Sequence, residues 1–486
     1  MDMKSQFLDL PYQVRKLIYH YYISVDGGYV YNPETGKLRT AHDGAIDLSL
    51  MYTCELVASE MKGLPLQTNT ITFYPYYTEE ALPFAYRNGI TLLRTHHLIW
   101  QMFRSAERCY TEEVKSKFSE VYPQFISLFD DLRTDLRLES IGYPPSEVCE
   151  AMEYALKLAS SHPDFAKDLA HLEYKWGDDT KEDANIFGKL CLGPWEVILA
   201  NDTGHPDIFR EFNSDPPKSM DITKYGFSAA ALAVRFLDSI RMQAFNEIRD
   251  IILEENHPAV ALSASHARGL IPFCRCNSLL RVERRVHLWK NIFLEGVFPR
   301  VCKYIPLCLP MRSIEVLDAH LSESMTRSVA LWTMEALSLI PAGMPTESFS
   351  LVFHGDIMPE KCSEIFKNVI KRDATWQVAI EENIKLGLLQ PFDFFRRPCC
   401  TFPFDIFKGF PQALEDIANK RTSIVRCDFD IGDYRTSDAT KLAEERRKWT
   451  LDMWRLQWLD VGLIHWNDIP LLLEKIPLLK ELVWDS

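Results

Sequence analysis

The stretch LVFHGDIMPEK, Leu351 to Lys361, is the part of this sequence that looks most like chemistry. A histidine, a glycine and an aspartate follow an apolar run, and a carboxylate placed after such a run can take the proton of a hydroxyl nucleophile. The surroundings do not complete a catalytic set. No Gly-rich phosphate loop with a partner lysine lies upstream, Lys361 would repel magnesium, and Gly355 has an ordinary use in a turn that ends a strand. Cys274-Arg275-Cys276 and Cys399-Cys400 lack the Cys-x-x-Cys pairing and histidine spacing of zinc modules. His96-His97 stands alone, and the His-Pro steps at His162, His205 and His257 have no ligand companions at useful spacing. No Gly-x-Ser-x-Gly, Walker or His-Glu-x-x-His pattern occurs. The expectation is no catalytic residue, no metal and no cofactor.

The His354-Gly355-Asp356 triplet is similar to the catalytic loop of aminoglycoside-type phosphotransferases. That resemblance implies Asp356 as the base and a metal-binding Asn five residues on, where this chain has Lys361. A diverged enzyme of that kind is the alternative reading, beside a purely structural or interaction scaffold.

The elements around these residues come from pattern. A chain of 486 residues, 47% hydrophobic and 25% charged, is globular and long enough for two or three domains. A formal charge of −14 disfavours nucleic acid as a whole-surface partner. The start, Met1-Asp2-Met3-Lys4, lacks a signal-peptide pattern, no apolar run reaches about 18 residues, and the twelve cysteines are scattered. An intracellular protein, cytoplasmic or nuclear, with no membrane partner is expected.

At the N-terminus, Pro11 suits a helix start, and Val14, Leu17, Ile18 and Tyr21 then fall on one apolar stripe. GYVYNPETGKLRT reads as a hairpin. AIDLSLMYTCELVASEMKGL, Ala45 to Leu64, reads as a second amphipathic helix with Ile46, Leu50, Cys54, Val57 and Met61 on one face, and Asn69 to Tyr74 reads as a strand. Leu10-Pro11, Arg15-Lys16-Leu17-Ile18-Tyr19, Thr53-Cys54 and Asn69 to Phe73 resemble the head of the F-box-like proteins of filamentous fungi. The resemblance covers about the first 75 residues and implies a helical head that docks the adaptor subunit of a cullin–RING ubiquitin ligase, with Leu10, Pro11, Val14, Leu17 and Ile18 as partner-binding residues. Gln13 stands where an acidic residue is usual, and the hairpin from Val25 to Thr40 splits the two helical halves.

Residues 76–220 read as mostly helical, including a helix after Pro144-Pro145 with Val148, Met152, Ala155 and Ala159 on one face. NSDPPKSMD, Asn213 to Asp221, has linker composition. From 221 to 486 the pattern predicts a long helix, Phe227 to Asn256, followed by α/β units. Ile305 to Leu317 matches Ile340 to Val352 at an offset of 35, each an Ile-Pro loop followed by a strand, and further strands are expected at Ser423–Phe429 and Glu481–Trp484. The predicted class is α+β, mainly helical, with an F-box-like head carrying a hairpin insertion and a C-terminal array of degenerate leucine-rich-like repeats. Ile314, Val316, Phe349, Leu351, Leu482 and Trp484 would be buried in neighbouring parallel strands, with Glu315 and Ser350 on one exposed face and His354 at its rim, as a second partner-binding surface. Between Ala267 and Lys303 there are eight Lys or Arg against two Glu, and Arg281, Arg284 and Arg285 cluster there as a basic patch. Together these features predict a non-enzymatic protein-recognition protein, in the resemblance's terms a substrate receptor for ubiquitin ligation.

Overall fold

The computed structural model describes residues 7–130, 142–169, 193–197, 226–293, 319–390, 407–454, 457 and 463–465. The first copy of the matched pair (with Ile314, Glu315 and Val316), the strand expected at Glu481–Trp484, the linker at Asn213–Asp221, His205-Pro206 and Cys399-Cys400 lie outside the described residues.

The Pro11 carbonyl accepts the first helical bonds, from the N–H of Val14 at 2.9 Å and of Arg15 at 3.1 Å, and α1 runs Tyr12–Ile23. A hairpin follows, β1 (Tyr29–Asn32) against β2 (Lys37–Thr40). The single helix expected over Ala45–Leu64 is instead three pieces: a 3₁₀ turn at Ser49–Tyr52, α2 (Glu55–Met61) and α3 (Leu64–Thr68). Two local features break it. The Thr53 hydroxyl bonds back to the Leu50 carbonyl at 2.7 Å, and Gly63 takes φ +79°, a left-handed conformation that ends α2. Then comes β3 (Ile71–Phe73).

A helical region follows: α4 (Leu82–Ser105), α5 (Glu112–Val121), α6 (Pro145–Ala159) and α7 (Phe165–Leu169). It has its own core, in which Phe103, Phe118 and Phe125 meet the α6 stripe of Val148, Met152, Ala155 and Ala159. No described helix is long and apolar enough to cross a membrane.

The long helix expected from Phe227 to Asn256 is corrected by the structure. The α8 helix covers only Ala229–Ser239, a four-residue turn of helix covers Met242–Phe245, and β4 (Asp250–Glu255) follows. In Asp250-Ile251-Ile252-Leu253 the apolar residues fit both helical and alternating spacing. Parallel neighbours on both sides settle it as strand, with Ile251 and Leu253 inward. The chain continues with β5 (Arg281–His287), β6 (Ala319–Leu321), α9 (Ser322–Leu337), β7 (Phe349–His354), α10 (Lys371–Lys385), α11 (Phe410–Ala418), β8 (Val425–Cys427), α12 (Ser437–Glu445) and β9 (Leu463–His465). The second copy of the matched pair thus runs from the end of α9 through a turn into β7.

Seven strands form one sheet in the order β2-β1-β3-β4-β5-β7-β8, and every pairing except β1 with β2 is parallel. From β1 to β8 the sheet order follows the chain order. The class is mixed α/β and mainly helical, and the strands of the first 75 residues belong to the same sheet as those beyond 250. One sheet face carries Ile71, Phe73, Ile251, Leu253, Val282, Val286, Phe349, Leu351, Phe353 and Val425, packed on α8, α9 and α11 in the main core. β6 and β9 pair antiparallel in a separate two-stranded sheet.

Candidate functional site

Alternation along the strands puts a different set of residues on the other sheet face. Register aligns Thr72, Ile252, Glu283 and Ser350 in one row and Glu254, Arg285, Val352 and Arg426 in the next. These rows form a charge ladder. Arg285 reaches Glu254 at 3.0 Å and Glu283 at 2.6 Å, and Arg426 pairs with the other oxygen of Glu283. Burial alone would push the Glu254 carboxyl up, but the bonds from His287 and Arg285 hold it below its ordinary range.

The expected basic patch is therefore corrected. Arg284 points the opposite way from Arg285, into the core, where it is fully buried and bonded to Glu255 at 2.9 and 2.6 Å. Its guanidinium also bonds the carbonyls of Ser263 and Ala264 and lies 4.5 Å from the Trp332 ring centre. Glu255 in turn accepts the N–H groups of Ala229 and Ala230 at the start of α8. Arg281 bonds the Ser278 and Leu280 carbonyls at the strand entrance. Arg284 and Arg285 share no surface, because two successive strand residues cannot face the same side, and Arg281 and Arg285, which do share a face, have Glu283 between them, paired with Arg285.

At the C-terminal ends of β5 and β7 the ladder closes on a histidine pair. His287 and His354 are register partners, with ring centres 4.6 Å apart and edge to face. His287 Nε2 meets Glu254 Oε2 at 3.1 Å, and its Nδ1 lies 3.8 Å from Asp356 Oδ2. His354 Nδ1 is bonded to Asp428, whose second oxygen takes the N–H of Gly355 at 2.9 Å. Lys290 Nζ sits 2.8 Å from Asp356 Oδ2, and this bond holds the Asp356 carboxyl below the usual carboxylate range. The turn that presents Asp356 is tight. A side chain at Gly355 would meet Phe429 and Pro359, and Ile357 is held at φ +82°, a conformation a β-branched residue rarely adopts. Lys361, at the position of the phosphotransferase-like Asn, pairs with Glu364 at 2.8 Å. Sequence reading singled out His354 and Asp356 but not His287, Lys290, Glu254 or Asp428. These join the site only through strand adjacency, and no local spacing signals it.

A second feature lies on the head. Val14 (39% exposed), Leu17 (61%), Ile18 (37%) and Tyr21 (85%) all face outward, so the apolar stripe of α1 is not core. The buried face is Arg15, Tyr19 and Ile23. Arg15 forms a forked pair with Glu60 of α2, Nε to Oε2 at 3.0 Å, and bonds the Leu8 and Leu10 carbonyls. Tyr19 donates to the same Glu60 at 2.7 Å, and burial and that carboxylate push the phenol up to about 12. Asn69 ties the end of α1 to α3, donating to the Ile23 and Pro65 carbonyls and accepting from Val25 N–H. Leu10 is half-buried and Pro11 exposed beside the stripe, with Leu8, Tyr52 and Leu56 exposed on the same head. No family model, curated protein or solved structure matches this chain.

Proposed function

We propose that the protein is a non-enzymatic recognition protein: an F-box-like head docks the adaptor subunit of a cullin–RING ubiquitin ligase, and a leucine-rich-like α/β array presents a substrate-binding face. One observation carries the reading. The α1 stripe of Val14, Leu17, Ile18 and Tyr21 is turned to solvent, while a charged residue, Arg15, is turned inward and anchored on Glu60. A helix kept for packing alone buries its apolar side; here an ion pair holds the apolar side out. The Leu-Pro and Arg-x-x-Ile-Tyr resemblance supplies the occupant. Parallel strands in chain order, with helices behind and a half-buried charged face in front, support the array and give Ser350 and His354 a shared surface.

The test is direct binding between the purified chain and the ligase adaptor, by calorimetry or co-elution. Binding by the wild type, lost in Leu17→Asp and Ile18→Asp at unchanged melting temperature, is the expected result. A wild-type chain that does not bind the adaptor would overturn the ligase reading. Binding that survives both substitutions would remove α1 as the docking element.

A further inference from the structure

We infer that His287, His354 and Asp356 form a binding site for a single divalent transition-metal ion, with zinc the best match. The inference is independent of adaptor docking. One ligand atom from each of the three residues lies within 4.8 Å of the others, a separation that small side-chain shifts close around an ion. No other group of three or more such residues with this geometry occurs among the described residues.

The second observation is a buried, unpartnered ring nitrogen. His287 is 6% exposed, and its Nδ1 has no hydrogen-bond partner. The other nitrogen, Nε2, is engaged by Glu254, so Nδ1 is the atom left facing the Asp356 side of the cluster. A buried polar atom without a partner costs free energy unless something occupies that position. A carboxylate on one imidazole nitrogen with the opposite nitrogen free is the outer arrangement that orients histidine toward a metal. The carboxylate half of that arrangement occurs twice: Glu254 holds His287 and Asp428 holds His354.

Two imidazoles and one carboxylate make a borderline-soft donor set that suits zinc better than magnesium or calcium, which prefer oxygen alone. Three protein ligands leave a fourth position for water or for a group from a partner. Lys290 sets the competing term. Its ammonium already neutralises Asp356, and its chain is a third exposed, so it can withdraw into solvent when an ion arrives.

Full-length protein, stripped with chelator and re-dialysed near neutral pH, should bind zinc with one-to-one stoichiometry at micromolar or tighter affinity by calorimetry. Cobalt substituted for zinc should give the intense visible bands of a four-coordinate site. Asp356→Asn and His354→Gln, both at partly exposed positions, should weaken binding by roughly tenfold or more and lose those bands, while Glu254→Gln should weaken it by about 10–100-fold. Lys290→Ala should tighten binding, because the competing cation is gone. The twelve cysteines provide other places for a soft ion, and the variants separate these. Zinc affinity and cobalt spectra identical in the wild type, Asp356→Asn and His354→Gln would overturn the site, as would absence of binding by the wild type.

Discussion

Successive strand residues face opposite sides, so Arg284 lies among Glu255, Ser263, Ala264 and Trp332, while Arg285 stands between Glu254 and Glu283 on the other face. The two should respond differently to substitution. Arg284→Ala leaves Glu255 buried with only two backbone N–H groups, and a loss of about 3–5 kcal/mol in chemical denaturation is expected. Arg285→Ala should cost about 1 kcal/mol or less, since that pair is partly solvated. If the double variant Glu255→Gln, Arg284→Met loses less than Arg284→Ala alone, the charge left behind is the dominant cost. A second buried charge gives a pH signature. Burial raises the Asp373 carboxyl to about 6, against partial compensation from Arg372 and Thr326, while an unfolded aspartate titrates near 4. The folded chain therefore holds this proton more tightly, so stability declines as pH rises from about 4 to about 6 and the penalty, on the order of 3 kcal/mol, is complete above. Asp373→Asn should raise the melting temperature at neutral pH and flatten that decline. A variant with an unchanged profile would show that Asp373 is not its source.

At the scale of elements, α1 sets packing against presentation. Leu17→Ala and Ile18→Ala should leave stability within about 0.5 kcal/mol. Met61→Ala, on the buried side of α2, should cost about 2–5 kcal/mol. Equal losses at all three positions would mean that the stripe is covered. The helix itself was legible, because the i, i+3, i+4, i+7 spacing of Val14, Leu17, Ile18 and Tyr21 needs no tertiary knowledge. Its orientation was not, since Arg15 and Tyr19 turn inward only because Glu60 waits 45 residues further on. The hairpin, β3 and β7 were readable from turn chemistry and alternation. β4 was not, because Asp250 to Glu255 satisfies both periods and only its neighbours on each side decide. His354 and Asp356 stood out locally as a triplet with Gly355. His287 lies 67 positions before His354, and nothing in its own segment, Arg281 to His287, announces a shared site.

Over the whole molecule, the helical region is fastened to the sheet assembly through a polar knot. Arg268 reaches Glu150 of α6, bonds Ser338 at 3.1 Å and lies 3.8 Å from Glu335 on α9, whose carboxylate also takes the N–H and hydroxyl of Ser146. Burial pushes the Glu335 carboxyl up, with Arg268 pulling it back. The sheet spans a long excursion: Phe73 pairs with Leu253, 180 residues further along the chain. During synthesis, at roughly 5–20 residues per second, β3 emerges about ten to forty seconds before the strand that will pair with it. For that interval Ile71 and Phe73, both fully covered in the finished fold, belong to an unpartnered strand edge. A fragment ending before Asp250 should collect in the insoluble fraction or on holding chaperones, whereas one extended through His287 should recover solubility. A soluble, monomeric residue 1–249 fragment would contradict this. The order in which the strands are made thus gives the nascent chain a timed period of vulnerability, whose length is set by how many residues lie between β3 and β4.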